Sequence, residues 1–518
     1  MWVDYVYKDE ASVGFRLGLL VDRLRRRARY GAPGFDIPFR VWNAHTMNTT
    51  RSTPSDQPVG SPSPGNRPRR HSSSDNPNIV FIHTDQQHFE ALSAYGNPWV
   101  ETPHMDRLVK EGHSFMKMHC ISPICVPART SWMTGRTSKE TGVPVNNAPL
   151  NPDIPDLAQW LRQHTNYETF HTGKWHIVNR SERESFDRVL IQQGPRFGEQ
   201  TDPDVARSAA NVILNRQSDR PFFMSVGLMN PHDCCYTAGA AGGLGKFQLA
   251  DRLLDKCPPL PESFVPDHPD HTRHTAGWTE DHWRFYLYSY YRMVEMVDEY
   301  VGTICDAIRK SESADNTMII LTSDHGDGLG FHGRLSKGFL EDQSWRVPGI
   351  VVFPGRIPAD VRDHQHLICT LDIPATVCDY AGAPQLPDTP LSYSWRPILE
   401  GQAVPWRDYV VGETSTSYLG VSFRDNLDTK TIFYDDGNVD VYNTAEDPLE
   451  MNKLQGTPEG DSIIQRHRGW FRDYLNHIQL SPLPTWDHLR PNHVRHYGEY
   501  LAWYERMRQE LNNQEDKS

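Results

Sequence analysis

Five segments of this 518-residue chain carry side chains whose types and spacing could do chemistry. Four are polar stretches that each follow an apolar or β-branched run: Asp85-Gln86-Gln87-His88, Gly173-Lys174-Trp175-His176, Asn230-Pro231-His232-Asp233 and Ser323-Asp324-His325-Gly326-Asp327. In open α/β sheets ligands bind where strands end, so carboxylates, imidazoles and an ammonium group at four such ends form a candidate ligand-holding set. The fifth segment is Cys125-Val126-Pro127-Ala128-Arg129-Thr130-Ser131-Trp132-Met133-Thr134-Gly135-Arg136. A lone cysteine is usually a small buried hydrophobe, and Cys-x-Pro-x-Arg by itself recurs by chance. Here it follows Ser122-Pro123 and runs into Met-Thr-Gly-Arg, downstream of the Asp-Gln-Gln strand end.

The elements that position these residues are legible in outline. Asn78–Asp85 is a continuous β-branched and aromatic run, the pattern of a strand buried on both faces of a parallel sheet. Tyr167–His171, Pro221–Leu228 and Thr317–Thr322 repeat the pattern before the other polar loops. Thr102 is expected to cap a helix with Pro103 in its first turn. From Asp281 to Lys310, Met293, Val294, Val297, Val301, Ile304, Ala307 and Ile308 recur at helical spacing, with Asp298, Glu299 and Arg309 off the stripe. This long helix is expected only to pack the core. Beyond Leu386 the pattern changes: Lys430–Tyr434, an Asp436-Gly437 turn and Val439–Tyr442 read as a hairpin, followed by a helix near Ile463–Ile478. The tail from Trp486 to Arg508 reads as an amphipathic helix packing back on the body. The expected fold is thus α/β, a large mixed and mostly parallel sheet flanked by helices. The expected divisions are an extension over 1–76, a catalytic α/β domain over 77–385, and a smaller C-terminal α+β subdomain over 386–518 with an antiparallel sheet and helical tail.

Composition narrows the functional classes. The formal net charge of −13 argues against wholesale binding to nucleic acid or an anionic membrane. No apolar run approaches the roughly 18 residues of a transmembrane helix. Eight cysteines without a CxxC pair argue against zinc ribbons and thioredoxin-like chemistry. Residues Asn48 to Asn76 are rich in Ser, Pro, Thr and Arg and cannot bury enough surface to offset chain entropy. The apolar patch near Leu17–Val21 precedes its arginine cluster rather than following it, which makes a poor signal peptide. Residues 1–76 are therefore expected to lie outside the fold, with Met47 as an alternative start.

Taken together, the motifs make the chain resemble the formylglycine-dependent sulfatases of the alkaline phosphatase superfamily. The resemblance spans residues 77–455, including Val297-Asp298-Glu299 and the stretch from Tyr442 to Asp447-Pro448. It implies an alkaline-phosphatase-like sheet and oxidation of Cys125 to Cα-formylglycine by a formylglycine-generating maturation enzyme, with Pro127 and Arg129 fitting recognition. In that chemistry the aldehyde hydrates to a geminal diol; one hydroxyl attacks sulfur and expels the alcohol, and the other then ejects sulfate. A serine would be left as a stable sulfate ester. Ala128 stands where the family commonly has serine. The resemblance further implies a metal held by Asp85, Gln86, Asp324, His325 and the side-chain oxygen at Cys125, with Gln86 replacing the commoner aspartate. Such oxygen-rich ligands suit Ca2+ first and Mg2+ second; His325 is a softer donor that could instead only hydrogen-bond nearby. Arg129 would hold the formylglycine near the metal, and Lys174 and His176 would orient its hydroxyls. His232 and Lys337 would grip sulfate and assist leaving-group protonation, an effect worth roughly 10²–10⁴-fold. Cys234 and His332 lie near these loops as bystanders or specificity residues.

The implied function is hydrolysis of a sulfate monoester, with sulfated carbohydrate the expected substrate class by family prevalence. The alternative is a phosphonate monoester or phosphodiester hydrolase of the same superfamily, because both anions are tetrahedral and the same cations grip both. A non-catalytic binding relative would show eroded cationic loops, and here they are intact. A serine or threonine phosphatase with two zinc ions is disfavoured by Cys125 in its maturation motif. The expected partners are a small-molecule or saccharide sulfate ester and the maturation enzyme, with no nucleic acid and no membrane span.

Overall fold

The run Asn78–Asp85 forms β1 and is buried along its whole length. Successive side chains of a strand point to opposite faces. Ile79 and Phe81 accordingly join one apolar core with Phe223, Met318 and Ile320, while Val80 and Ile82 join another with Met224, Ile319 and Leu321. Two covered faces explain why Ile79–Ile82 read as an apolar run without polar alternation. The computed structural model describes residues 76–192, 197–239, 251–266, 275, 277–481 and 491–515; the expected N-terminal extension lies outside them but for Asn76.

Seven further strands complete the sheet: β2 (His113–Phe115), β3 (Glu168–Gly173), β4 (Arg188–Gln192), β5 (Phe222–Pro231), β6 (Thr317–Ser323), β7 (Gly349–Val352) and β8 (Val361–Asp363). Their spatial order is β4-β3-β5-β1-β6-β7-β2-β8. Strands β3, β5, β1 and β6 are parallel neighbours, whereas β7 runs antiparallel to β6 and β2. The sheet is therefore mixed and mostly parallel, as expected. The parallel block sets the C-terminal ends of four strands side by side, so loops far apart in sequence open onto one edge.

Helices α1 (Pro103–Glu111), α2 (Cys125–Thr134), α3 (Gly198–Asn215) and α4 (Glu280–Lys310) flank the sheet. Helix α4 packs against α3, α1 and β5 through Tyr286, Tyr290, Val294, Val297, Val301, Ile304 and Ile308. The start of α1 departs from expectation. Thr102 does not cap it with its side chain; its hydroxyl donates to Asp106 Oδ1 instead. The free N–H groups of His104 and Met105 are taken by Asp298 of α4, at 3.0 and 2.7 Å. A carboxylate at the positive end of a helix dipole is the stronger cap, and it explains why Asp298 is buried despite lying off the apolar stripe.

Four antiparallel strands in sequential order make the smaller sheet: β9 (Tyr409–Ser415), β10 (Leu419–Asp425), β11 (Thr429–Tyr434) and β12 (Val439–Asn443). The last two form the expected hairpin, with Phe433 opposite Val439 across the Asp436-Gly437 turn. Helix α5 (Pro458–His477) covers this sheet, and α6 (Pro491–Glu515) packs on α5. Tyr497, Tyr500, Trp503 and Tyr504 of α6 are buried, so the tail does pack back on the body; Trp486 lies outside the described residues. All eight cysteines are free thiols. No described helix is long and apolar enough to cross a membrane.

Candidate active site

Every residue of α2 is buried, and the helix begins at Cys125 itself. Residues four apart share a helix face, which aligns Cys125 with Arg129. The Arg129 side chain runs to the strand ends, where Nε donates to Asp324 Oδ2 at 2.8 Å and Nη2 to Asp85 Oδ2 at 3.1 Å. Its planar fork suits bridging two carboxylates. Cys125 Sγ lies 3.2 Å from His325 Nε2, 3.0 Å from Lys337 Nζ and 3.8 Å from Asp85 Oδ1. Lys174 pairs with Asp85 Oδ2, and Lys337 also donates to Gln86 Oε1 at 2.6 Å.

Local chain geometry delivers each group. Gly173 ends β3 at φ 93°, where a Cβ would meet the Gly227 carbonyl oxygen at 1.9 Å; only glycine allows the turn that presents Lys174 and His176. At Gly326 a Cβ would meet the Gln343 carbonyl oxygen at 2.0 Å, which fixes the chain just after Asp324 and His325. The loop carrying Lys337 doubles back through Gly328 N–H to Ser336 O and Gly330 N–H to Arg334 O, at 2.7 and 2.9 Å. Gly338 N–H then donates to Pro123 O at 3.0 Å, tying Lys337 to the segment just before Cys125. His176 abuts Cys125. His232 follows β5 and acts electrostatically on Asp85, with its buried Nδ1 lacking a hydrogen-bond partner among the described residues.

Opposed charges in a dry site set the protonation states. Burial pushes the Asp85 carboxyl up, but Lys174, His232, Lys337 and Arg129 together hold it well below the usual carboxylate range. Burial and Asp85 likewise oppose ionisation of the Cys125 thiol, yet Lys337, Lys174 and His325 pull it well below the thiol range. Burial lowers His176, leaving a neutral imidazole. Asp85, Cys125, Asp324 and His325 each offer a donor atom within 4.8 Å of the others. The His325 Nδ1 lies 2.9 Å from the Gly326 carbonyl oxygen, which can only accept, so Nδ1 is protonated and Nε2 faces the cluster, where burial is outweighed by Asp324 and Cys125, which raise the imidazole above its usual range. Two buried carboxylates, an amide oxygen and an inward imidazole nitrogen fit a divalent cation.

Residues 77–383 match the family described as Sulfatase, and residues 330–474 match the one described as N-sulphoglucosamine sulphohydrolase, C-terminal. The chain belongs to the sulfatase family. It is an enzyme that hydrolyses sulfate esters. This sulfatase is 26% identical to an N-acetylglucosamine-6-O-sulfatase of Bacteroides thetaiotaomicron, over 74% of its own chain and 83% of the relative. It is 27% identical to a Δ4,5-hexuronate-2-O-sulfatase of the same organism, over 77% and 89% of the two chains. The solved structure of a 2-O GAG sulfatase shares its fold with a TM-score of 0.67 at 24% identity, covering 77% of this chain and 92% of the other.

The sulfatase's fold brings Asp85, Gln86, Cys125, Arg129, Lys174, His176, Asp324, His325 and Lys337 to one edge of the sheet, with His232 beside them. Five further residues contribute: Tyr286, Tyr290 and Cys235 carried no expected role, Asp327 stood only among the polar residues of its loop, and Cys234 only as a bystander or specificity residue. Tyr286 and Tyr290 belong to the helix expected only to pack the core, yet Tyr290 donates to the Gln86 carbonyl oxygen at 2.7 Å and Tyr286 to Asp327 Oδ2 at 3.0 Å. Asp327 in turn accepts from Gln86 Nε2 at 2.5 Å. Cys235 lies 3.4 Å from Gln86 Oε1 and Cys234 3.4 Å from Gln86 Nε2. Their proximity to the site-bearing loops was the one signal available; nothing in their own spacing marks them. His332 is held by its backbone to Ser263 O at 2.9 Å and contacts none of the candidate ligands by a described hydrogen bond.

Proposed function

We propose that this sulfatase removes a sulfate monoester from a saccharide, using Cα-formylglycine at Cys125 and Ca2+ held by Asp85, Gln86, Asp324, His325 and the oxygen at position 125. The observation that carries it is the meeting of Cys125 with two carboxylates and three cationic side chains in one buried cluster. Saccharide is favoured because the relatives named above act on amino-sugar and uronate sulfates. Hydrated formylglycine at position 125 would supply one hydroxyl to attack sulfur and a second to release sulfate, and the cation would supply Lewis acidity.

The chain's own residues do the rest. Arg129 holds Asp85 and Asp324 so that both present oxygens to one point. Lys174 and neutral His176 flank position 125, where the imidazole can take a hydroxyl proton. Lys337 lies beside the same side chain and stabilises charge that develops on sulfate oxygens. His232, on the neighbouring strand end, gives its proton to the departing alkoxide oxygen, which leaves as the alcohol.

Peptide mass spectrometry across Cys125, joined to a substrate panel, tests this. The aldehyde form should track activity from batch to batch, and sulfated saccharides should show the highest kcat/KM. Full turnover by protein whose Cys125 is wholly unmodified would refute the nucleophile. A higher kcat/KM on phosphonate or phosphate diesters would refute the substrate class.

A further inference from the structure

Gln86 is the unusual member of the cluster, since an amide is neutral and has two ends of nearly equal shape. Only the oxygen end can ligate a cation; turned over, the amide would aim N–H groups at it. Something has to fix which end points inward. The backbone of Gln86 is pinned: its N–H donates to Asp324 Oδ1 at 3.0 Å and its carbonyl accepts from Tyr290. That leaves the amide itself to be set by its side-chain neighbours.

We infer that Asp327 is the positioning residue that makes Gln86 an oxygen ligand. Asp327 is fully buried, and its described neighbours donate to it. Gln86 Nε2 lies 2.5 Å, Tyr286 OH 3.0 Å and Cys234 Sγ 3.7 Å from Oδ2, and Leu329 N–H lies 2.8 Å from Oδ1. A carboxylate so surrounded can only accept, so it claims the NH2 end of the amide. On the opposite side Lys337 Nζ, which can only donate, lies 2.6 Å from Oε1. An acceptor behind and a donor in front force the same orientation, with the oxygen toward Lys337, whose ammonium lies 3.0 Å from Cys125 Sγ and 3.9 Å from Asp85 Oδ1. The third carboxylate of the site thus stands one side chain further back, where it acts through Gln86 rather than on the cation.

This rests on the proposal that Gln86 ligates the metal, and the test separates the two. Calcium affinity of the mature full-length enzyme is measured by titration calorimetry in wild type, Asp327→Asn, Gln86→Asp, the double variant and Asp85→Asn. Asparagine at 327 can turn either a donor or an acceptor toward Gln86, which leaves Lys337 alone to hold the amide's sense; affinity should fall roughly 10- to 100-fold, as for other groups that orient metal ligands. In the Gln86→Asp background no amide remains to be turned, and Asp327 is a like charge beside the new carboxylate. There Asp327→Asn should leave affinity unchanged or tighten it. An equal loss in both backgrounds would mean a merely structural role and overturn the inference. Asp85→Asn retaining wild-type affinity would overturn the metal site itself. A crystal structure of the wild-type enzyme with Ca2+ covers the case in which the variant does not fold. Gln86 Oε1 on the ion with Nε2 on Asp327 supports the role, and Asp327 on the ion overturns it.

Discussion

Replacing His232 and Lys337 separately by alanine should divide leaving-group assistance from charge stabilisation. In an in-line displacement at a tetrahedral oxyanion, the departing oxygen lies across the central atom from the attacking one. Lys337 Nζ is 3.0 Å from Cys125 Sγ, which puts it on the attacking side. His232 makes no described hydrogen bond to Cys125 and has an unpartnered buried Nδ1, so it is the group free to meet the departing oxygen. A general acid is worth roughly 10²–10⁴-fold, or about 3–5 kcal/mol at about 1.36 kcal/mol per tenfold. His232→Ala should lose that much kcat/KM on a sugar sulfate, whose alkoxide is a poor leaving group. On nitrophenyl sulfate, whose phenolate leaves unaided, the loss should be about tenfold or less. Lys337→Ala removes one cation from the developing charge and should cost roughly 10²–10³-fold on both substrates. The assay is sulfate release by ion chromatography for the sugar and nitrophenol absorbance for the aryl ester, compared as kcat/KM ratios. Equal losses on both substrates for His232→Ala, with an unequal loss for Lys337→Ala, would reverse the assignment and refute the geometric reasoning.

Removing the metal by chelation should abolish turnover yet leave the protein folded, because Arg129, Lys174 and Lys337 still pair with the buried carboxylates; circular dichroism and activity recovery on adding Ca2+ check this. Asp298→Ala strips the start of α1 of its carboxylate cap and should cost about 1–2 kcal/mol, read from denaturant midpoints at unchanged slope. Burial, opposed by Glu413, pulls Lys139 down to about 8, below the value of about 10.4 for an exposed lysine. The unfolded chain then binds that proton more tightly, so this group's penalty on the native state is greatest below about pH 8 and disappears as pH rises toward about 10. Lys139→Met should therefore raise Tm at pH 7 relative to wild type, and the difference should shrink at pH 10.

The sequence alone determined what local pattern can carry. Strand β1 was legible because both its faces are covered and Ile79–Ile82 form an unbroken apolar run before the polar strand end. The Asp436-Gly437 turn set the pairing of β11 with β12. The candidate ligands were legible as well, because polar groups gather where buried strands reach the sheet edge. Tertiary structure alone decided which of those groups meet. Lys337 reaches Cys125 across 212 residues, and Asp298 caps a helix 194 residues away through His104. Both contacts depend on strand order and helix packing, which no local periodicity encodes. Asp327 illustrates the limit. Three residues beyond Asp324 in the same loop, it looks like another exposed strand-end acid, and only the fold buries it behind Gln86 with Tyr286 from a distant helix. An isolated carboxylate in a sequence has no direction; it acquires one when the chain closes around it and brings fixed donors within reach of its oxygens.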